Sequence, residues 1–411
     1  MARPAHQATT RHLGAAYPFV AEPGFGGCGV LIGRDLFGGA FAYDPFVLYG
    51  RGAVSNPNMV VFGQIGRGKS AFVKSYLWRQ CVFGRRAWVI DPKGEYGSLA
   101  LACGTEALAL RPGGNVRLNP LEAVGADYAG ADELTRRRAE LLASLAGASL
   151  GRALSPGERT AVELAVTDVS SRVADPTLPQ VVDALLSPAA SSASVVRTDA
   201  AGLAADGRQV ALELRRLVAG DLRGMFDGPT SAVVHLDAPV VVLDLSAVYH
   251  SPALGVLMTC AASWLQTALR RDLAGAPILL VVDEAWAILS NLSVARWLQS
   301  SWKLSRAWGV ANIAVLHRVS DLSAAGAAGS EQVGLSEGLL ADSETRVVYA
   351  QPPGECAQAA SLLGLSNTET ELLSRLGRGV ALWKVGGRSF LVQHRLSVHE
   401  QALVDTDARM R

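Results

Sequence analysis

Two clusters of residues in this 411-residue chain could do chemistry together. The first is Gly63-Gln64-Ile65-Gly66-Arg67-Gly68-Lys69-Ser70, which fits the pattern G-x-x-x-x-G-K-[ST] in full. A polyphosphate presents oxygen on every side, and backbone N–H groups ringed at a helix N-terminus are the simplest way to hold it. Glycines at 63, 66 and 68 allow that close approach. Lys69 would reach the β/γ-phosphates, and the Ser70 hydroxyl would ligate Mg²⁺. The binding set expected is Gly63, Gln64, Ile65, Gly66, Arg67, Gly68, Lys69, Ser70 and the next residue, Ala71. A nucleoside triphosphate is the ligand this implies.

The second cluster is Asp283-Glu284, which ends the apolar run Pro277–Val282. In a phosphate-loop ATPase the first acid holds the Mg²⁺ water shell and the second polarises the attacking water. Both must lie at the carboxyl edge of a strand beside the loop, where open α/β sheets place their ligands. Asp283 is therefore the expected metal residue and Glu284 the expected catalytic one. The glutamate turns a switch into a hydrolase.

Further candidates surround this pair. Asp91-Pro92-Lys93-Gly94-Glu95-Tyr96 closes another buried strand, and Glu95 there could position water or metal; equally, Asp91 and Glu95 could only organise a Pro-Gly turn. Hydrolysis needs positive charge on the transferring phosphoryl group. Arg306, Arg318 and Arg346 all stand near expected strand ends. His317 ends the run Ala311–Leu316, where a γ-phosphate-sensing group would sit. Trp286, Trp297, Trp302 and Trp308 mark no single helical face, which reads as core or subunit-contact packing.

These residues need a frame. Near-continuous Val/Ile/Leu runs predict strands at Met59–Phe62, Ala87–Asp91, Val240–Leu245, Ile278–Val282, Ala311–Leu316 and Thr345–Ala350. Lacking alternation, they belong to a parallel sheet covered on both faces. Ala107–Leu110 and Val116–Leu118 are shorter strand candidates. Helices are expected over Ala71–Cys81, Pro252–Arg271 and 292–306, and hairpins over Gly29–Tyr49 and, at the end, Val380–Lys384 with Ser389–Gln393. The division is a loose arm (1–27), a first core part (28–130), an all-helical insertion (131–222) and a second core part (223–411). Within the insertion, Ser155-Pro156-Gly157-Glu158 is a helix start, and the Ala/Ser-rich stretch Ser187–Asp206 reads as a poorly fixed connection.

Composition narrows the class. With 49% hydrophobic and 18% charged residues, the chain reads as globular. No apolar run reaches the roughly 18–20 residues that span a bilayer, and no apolar leader follows Met1. Cys28, Cys81, Cys103, Cys260 and Cys356 include no C-x-x-C pair, so free thiols and no metal site are expected. The 38 basic residues balance 37 acidic ones, which leaves no overall electrostatic footprint for nucleic acid.

The ordered motifs resemble the HerA–FtsK superfamily of hexameric pumping ATPases, and within it the type IV secretion and conjugal-transfer ATPases of the TraC kind. The resemblance is carried by Asp44-Pro45-Phe46, Gly63–Ser70, Asp91–Tyr96, Leu154–Glu158, Phe226-Asp227-Gly228-Pro229-Thr230, Asp283-Glu284-Ala285-Trp286, Lys303–Gly309 and the closing hairpin. It implies a RecA-like α/β fold with a mostly parallel sheet, an all-helical insertion and a C-terminal β-hairpin. It also implies ATP and Mg²⁺ bound between subunits of a homo-oligomeric, hexameric ring. Arg306 matches the superfamily's trans-acting arginine, and His317 stands where the superfamily usually has Gln. The large N-terminal domain of many such ATPases is not seen. The activity implied is ATP hydrolysis driving a secretion or transfer channel. The protein would then be cytoplasmic, reaching the membrane through channel subunits. A DNA translocase, with DNA as a partner, and a nucleotide-dependent scaffold without useful turnover are the alternatives.

Overall fold

The computed structural model describes residues 24–405, apart from 28, 123–129, 221, 236, 250, most of 252–275, most of 290–304, 319 and 321–329. The helices expected over Pro252–Arg271 and 292–306 lie largely outside the described residues, and so does Trp297.

The chain enters through β1 (Val30–Asp35), β2 (Ala40–Tyr43) and α1 (Pro45–Gly50). Asp44 caps α1, its carboxylate accepting from the amides of Phe46 and Val47 at 2.9 Å each. Then come β3 (Met59–Phe62), the phosphate-loop sequence, α2 (Lys69–Val82), β4 (Arg86–Asp91), α3 (Gly97–Ala102) and β5 (Leu108–Ala109). After a long helical segment the strands resume as β6 (Val240–Asp244), β7 (Ile278–Val282), β8 (Val310–Leu316) and β9 (Thr345–Tyr349), and end in the hairpin β10 (Val380–Val385) and β11 (Arg388–His394).

All eleven belong to one sheet, ordered β2-β1-β11-β10-β9-β3-β8-β7-β4-β6-β5. From β9 to β5 every pairing is parallel, and the strands from β9 to β2 pair antiparallel. The period of two in a strand divides each parallel run between two cores. Val60, Phe62, Trp88, Ile90, Leu280 and Val282 enter one, while Met59, Val61, Ala87, Val89, Leu279 and Val281 enter the other. Burial on both faces is the reason these runs show no alternation.

One face carries α2 and α3. The helix α2 lays Phe72, Val73, Tyr76 and Leu77 on it, and the antiparallel end adds an aromatic cluster of Phe41, Tyr43, Trp383 and Phe390. Phe72 meets Trp383 edge-on at 5.2 Å between centroids, which ties the phosphate-loop helix to the hairpin.

Between β5 and β6 the chain forms α4 (Ala131–Leu150), α5 (Pro156–Arg172), α6 (Leu178–Leu186), α7 (Ala190–Val195) and α8 (Ala200–Val218). Ser155 begins α5 with a reciprocal cap. Its amide donates to Glu158 Oε2 at 2.8 Å, and its hydroxyl accepts from the Glu158 amide at 3.2 Å. The Ser187–Asp206 stretch is not loosely fixed. It holds all of α7 and the start of α8, whose cap Asp199 accepts from the Gly202 amide at 2.7 Å. Ala and Ser conceal this because the anchoring contacts come from spaced residues, Ala193, Leu203, Val210 and Leu214, all buried. The strand expected at Val116–Leu118 is absent. The Arg117 amide goes to Ser231 Oγ and the Leu118 amide to the Met225 carbonyl, each at 2.9 Å, so no ladder forms.

Candidate active site

Strand order creates the site. The phosphate loop follows β3 and the two acids follow β7, and β8 runs between them. Adjacent strands lie about 4.8 Å apart, so the two groups face each other across roughly 10 Å. His317, the residue after β8, fills that gap. The Gly63 amide donates to its carbonyl at 3.2 Å, and the Ala285 amide donates to the Val315 carbonyl at 3.1 Å.

The loop itself is built by close approach. A Cβ on Gly63 would lie 2.5 Å from Tyr349 Cβ on β9, which no larger residue could tolerate. Gly68 takes φ +110° as it opens α2. The Gly379 amide, at the start of β10, donates to the Arg67 carbonyl at 2.9 Å and braces the loop from the hairpin side. Lys69 is only 6% exposed. Its ammonium donates to the Gly63 carbonyl, to the Gln64 carbonyl at 3.2 Å and to His317 Nδ1 at 3.3 Å. Burial lowers the Lys69 pKa to about 8, against the pull of Asp283 and Glu284.

Since Lys69 has donors only, His317 Nδ1 must accept from it. With the proton assigned to Nε2 on that ground, this nitrogen donates to Glu284 Oε1 and Oε2 at 2.8 and 3.0 Å. Glu284 also pairs with the Lys93 ammonium and accepts from the Trp286 indole N–H. Burial alone would raise its pKa, yet the hydrogen bonds from His317, Lys93 and Trp286 outweigh it and hold the carboxylate at about 2. Its backbone is left-handed at φ +51°, one of two such non-glycine residues described. That conformation costs of order 1–3 kcal/mol and persists where surroundings enforce it. Asp283 shows the opposite shift. Burial, with the like charges of Glu284 and Asp91, raises it to about 7.

These groups open into a cleft of about 780 Å³ lined by Gln64, Ile65, Gly66, Arg67, Glu284 and His317, among others. The residues present fit a nucleotide with Mg²⁺. The loop has the small residues that near contact demands, a helix N-terminus behind it and a buried cation within it. Among the described residues no group of three or more His, Cys, Asp and Glu could hold a metal alone. A Mg²⁺ held by Ser70 and Asp283 would thus complete its shell with phosphate oxygens and water, as this ion prefers.

Solved structures share the fold that carries this site. VirB4 of Thermoanaerobacter pseudethanolicus superposes with a TM-score of 0.76 at 21% identity, over 92% of this chain and 100% of that one. The plasmid coupling protein TrwB, in complex with the non-hydrolysable ATP analogue ADPNP, superposes at 0.56 with 14% identity, over 84% and 87%. The fold is that of the RecA-like P-loop NTPases. It is the fold that the HerA–FtsK resemblance implies. No family model matches the sequence, and no curated protein does.

The other expected site residues are spread through this RecA-like frame. Asp91 organises the turn after β4, accepting from the amides of Lys93, Gly94 and Tyr96 at 3.2, 2.9 and 2.8 Å. Burial lifts its pKa to about 6. Glu95 faces Lys74 of α2 at 3.9 Å. Arg346 is spent inside the fold on the carbonyls of Leu363 and Leu340, at 3.2 and 3.3 Å. Arg318 lines the cleft. Arg306 precedes β8, at the sheet edge opposite the phosphate loop, where its guanidinium donates to the Ser55 carbonyl at 3.2 Å. A seven-residue strand spans roughly 20 Å, so Arg306 does not reach the cleft of its own chain. Of the tryptophans, Trp302 is buried, while Trp286 is 38% exposed and bonded to Glu284.

Sequence reasoning missed Lys93, Lys74 and the role of Trp286. Trp286 lies two residues from Glu284, so its reach was open to inspection. Lys93 was hidden because only the adjacency of β4 and β7 brings its turn beside Glu284.

Proposed function

We propose that the chain binds ATP with Mg²⁺ and hydrolyses it as the motor of a conjugative transfer or type IV secretion machine, acting in a ring of copies. The observation that carries this reading is the convergence of Gly63–Ser70 and Asp283-Glu284 on one cleft at the carboxyl edge of the sheet. In it, the loop amides from Gly63 to Ala71 and the Lys69 ammonium hold the phosphate oxygens. Ser70 and Asp283 would hold the metal, which would supply positive charge to the transferring phosphoryl group. Glu284 orients a water and accepts its proton. His317 couples that carboxylate to Lys69 through one imidazole, since each nitrogen touches one of them.

The ring is supported by Arg306. Its distance from its own cleft suits a residue that completes the site of a neighbouring copy. The likeness to VirB4 and to a bacterial conjugative coupling protein supports the secretion or transfer setting. No helix among the described residues is long and apolar enough to cross a membrane. The reading has the protein cytoplasmic, meeting the membrane through channel subunits. A DNA translocase is the second reading, and the likeness to a coupling protein is the observation in its favour.

ATP turnover of wild type and Glu284→Gln, with and without duplex DNA, tests both. Strong stimulation by DNA selects the translocase. Bound ATP without turnover in either condition would sink both motors and leave a scaffold. Mixing Arg306→Ala subunits into wild type tests the ring. Activity that falls only in proportion to the mutant fraction counts against a shared site.

A further inference from the structure

The turn Asp91–Tyr96 was expected to offer Glu95 to the site. The structure turns Glu95 toward Lys74 and sets the Lys93 ammonium on Glu284 instead. Three donors from three separate segments converge on Glu284: Lys93 after β4, Trp286 at the start of the short helix Trp286–Leu289, and His317 after β8. A carboxylate offers about four acceptor positions, so these contacts take most of them and leave little freedom of rotation. Glu284 also sits on left-handed backbone, a costly conformation that persists only where its surroundings enforce it.

Lys93 is itself held in place. Its amide is tied to Asp91 Oδ1 at 3.2 Å, its ammonium lies 5.8 Å from the centre of the Tyr249 ring, and it is 3.4 Å from His317 Nε2. With 25% of its side chain exposed, it reaches the carboxylate from the solvent side of the cleft, whereas Glu284 is 2% exposed. Trp286 donates a neutral hydrogen bond, and His317 already shares itself with Lys69. Among the three partners, Lys93 is the one ammonium.

We propose that Lys93 is a positioning residue for the reaction. It fixes the Glu284 carboxylate in the orientation from which that group meets water, without contributing to nucleotide affinity. The inference rests on the reading of Glu284 as the water-activating acid. Lys93→Met is expected to lower kcat for ATP at least about tenfold, as misplacement of a catalytic group does, while KM moves less than about twofold. Lys93→Arg, which keeps the charge and the reach, retains most of the rate.

A second readout needs neither nucleotide nor turnover. In a thermal-unfolding double-mutant cycle, Lys93→Met should lower Tm clearly more in the wild-type background than in the Glu284→Gln background. Equal Tm losses in both backgrounds would show no coupling and overturn the proposal. So would a raised KM at unchanged kcat, which would make Lys93 a nucleotide ligand, or full turnover by Lys93→Met. If Glu284→Gln keeps the wild-type rate, the reading of Glu284 fails on its own, and the Tm cycle still decides whether Lys93 holds it.

Discussion

In the helical segment from Ala131 to Val218, charged groups meet over short sequence distances. Arg137 pairs with Glu133 one turn away at 2.7 Å, and Arg152 holds Glu158, the acid of the α5 cap, at 2.7 Å. At the carboxyl edge of the sheet, Lys69, Asp91, Asp283 and Glu284 are all buried, and their interactions join residues from β3, β4, β7 and β8. The first region obeys local rules of capping and spacing. The second gathers four buried ionisable groups around one cleft, and Glu284 among them is left-handed. A fold supplies stability in one place and holds strained, partly desolvated groups in another. Such departures from local rules concentrate where function lies.

The sharpest way to break this contrast is Glu284→Gln. Turnover should fall by about 10²–10⁴, the span of general-base catalysis, with ATP affinity nearly unchanged in a fluorescent-nucleotide titration. Retained turnover would make the strained edge structural. Next comes Gly63→Ala. The added Cβ meets Tyr349 at 2.5 Å, and such overpacking costs about 1–3 kcal/mol by denaturant titration, together with lost nucleotide binding. Ser155→Ala in the helical segment should cost about 1 kcal/mol and leave turnover intact, because it removes only a cap.

The smallest effect is a difference in sign. Glu158 has a folded pKa of about 2, below its ordinary value, chiefly through the hydrogen bond from Arg152. Its stabilisation is present above about pH 4.5 and is lost as pH falls toward 2. Asp91 is raised by burial to about 6. It binds its proton more readily when folded, so its contribution is greatest below about pH 4 and is lost as pH rises toward 6. Tm measured against pH should therefore lose slope in the acid limb for Glu158→Gln, and between about pH 4 and 6 for Asp91→Asn. Equal effects in both limbs would erase the distinction between the regions.

Legibility followed the same division. The strands of the parallel sheet could be read because burial on both faces leaves unbroken apolar runs, and α5 could be read because Ser155 and Glu158 cap it locally. The α7 and α8 region was misread because short side chains carry little periodicity. In the site, Gly63–Ser70 and Asp283-Glu284 stand out by composition. The places of Glu95, Lys93 and Arg346 do not, since each depends on partners far along the chain.

By itself, then, the sequence determined that a phosphate loop follows one buried strand and that two acids follow another. Both facts are local, written in glycines, a Lys-Ser pair and apolar runs. Only the tertiary structure decided that β8 lies between those strands, which puts His317 in contact with Lys69 and Glu284. It alone set Lys93 on Glu284 and Arg306 at the far edge. Strand order is a property of the whole sheet, fixed by how two hydrophobic cores close over it, and no short window of residues encodes it.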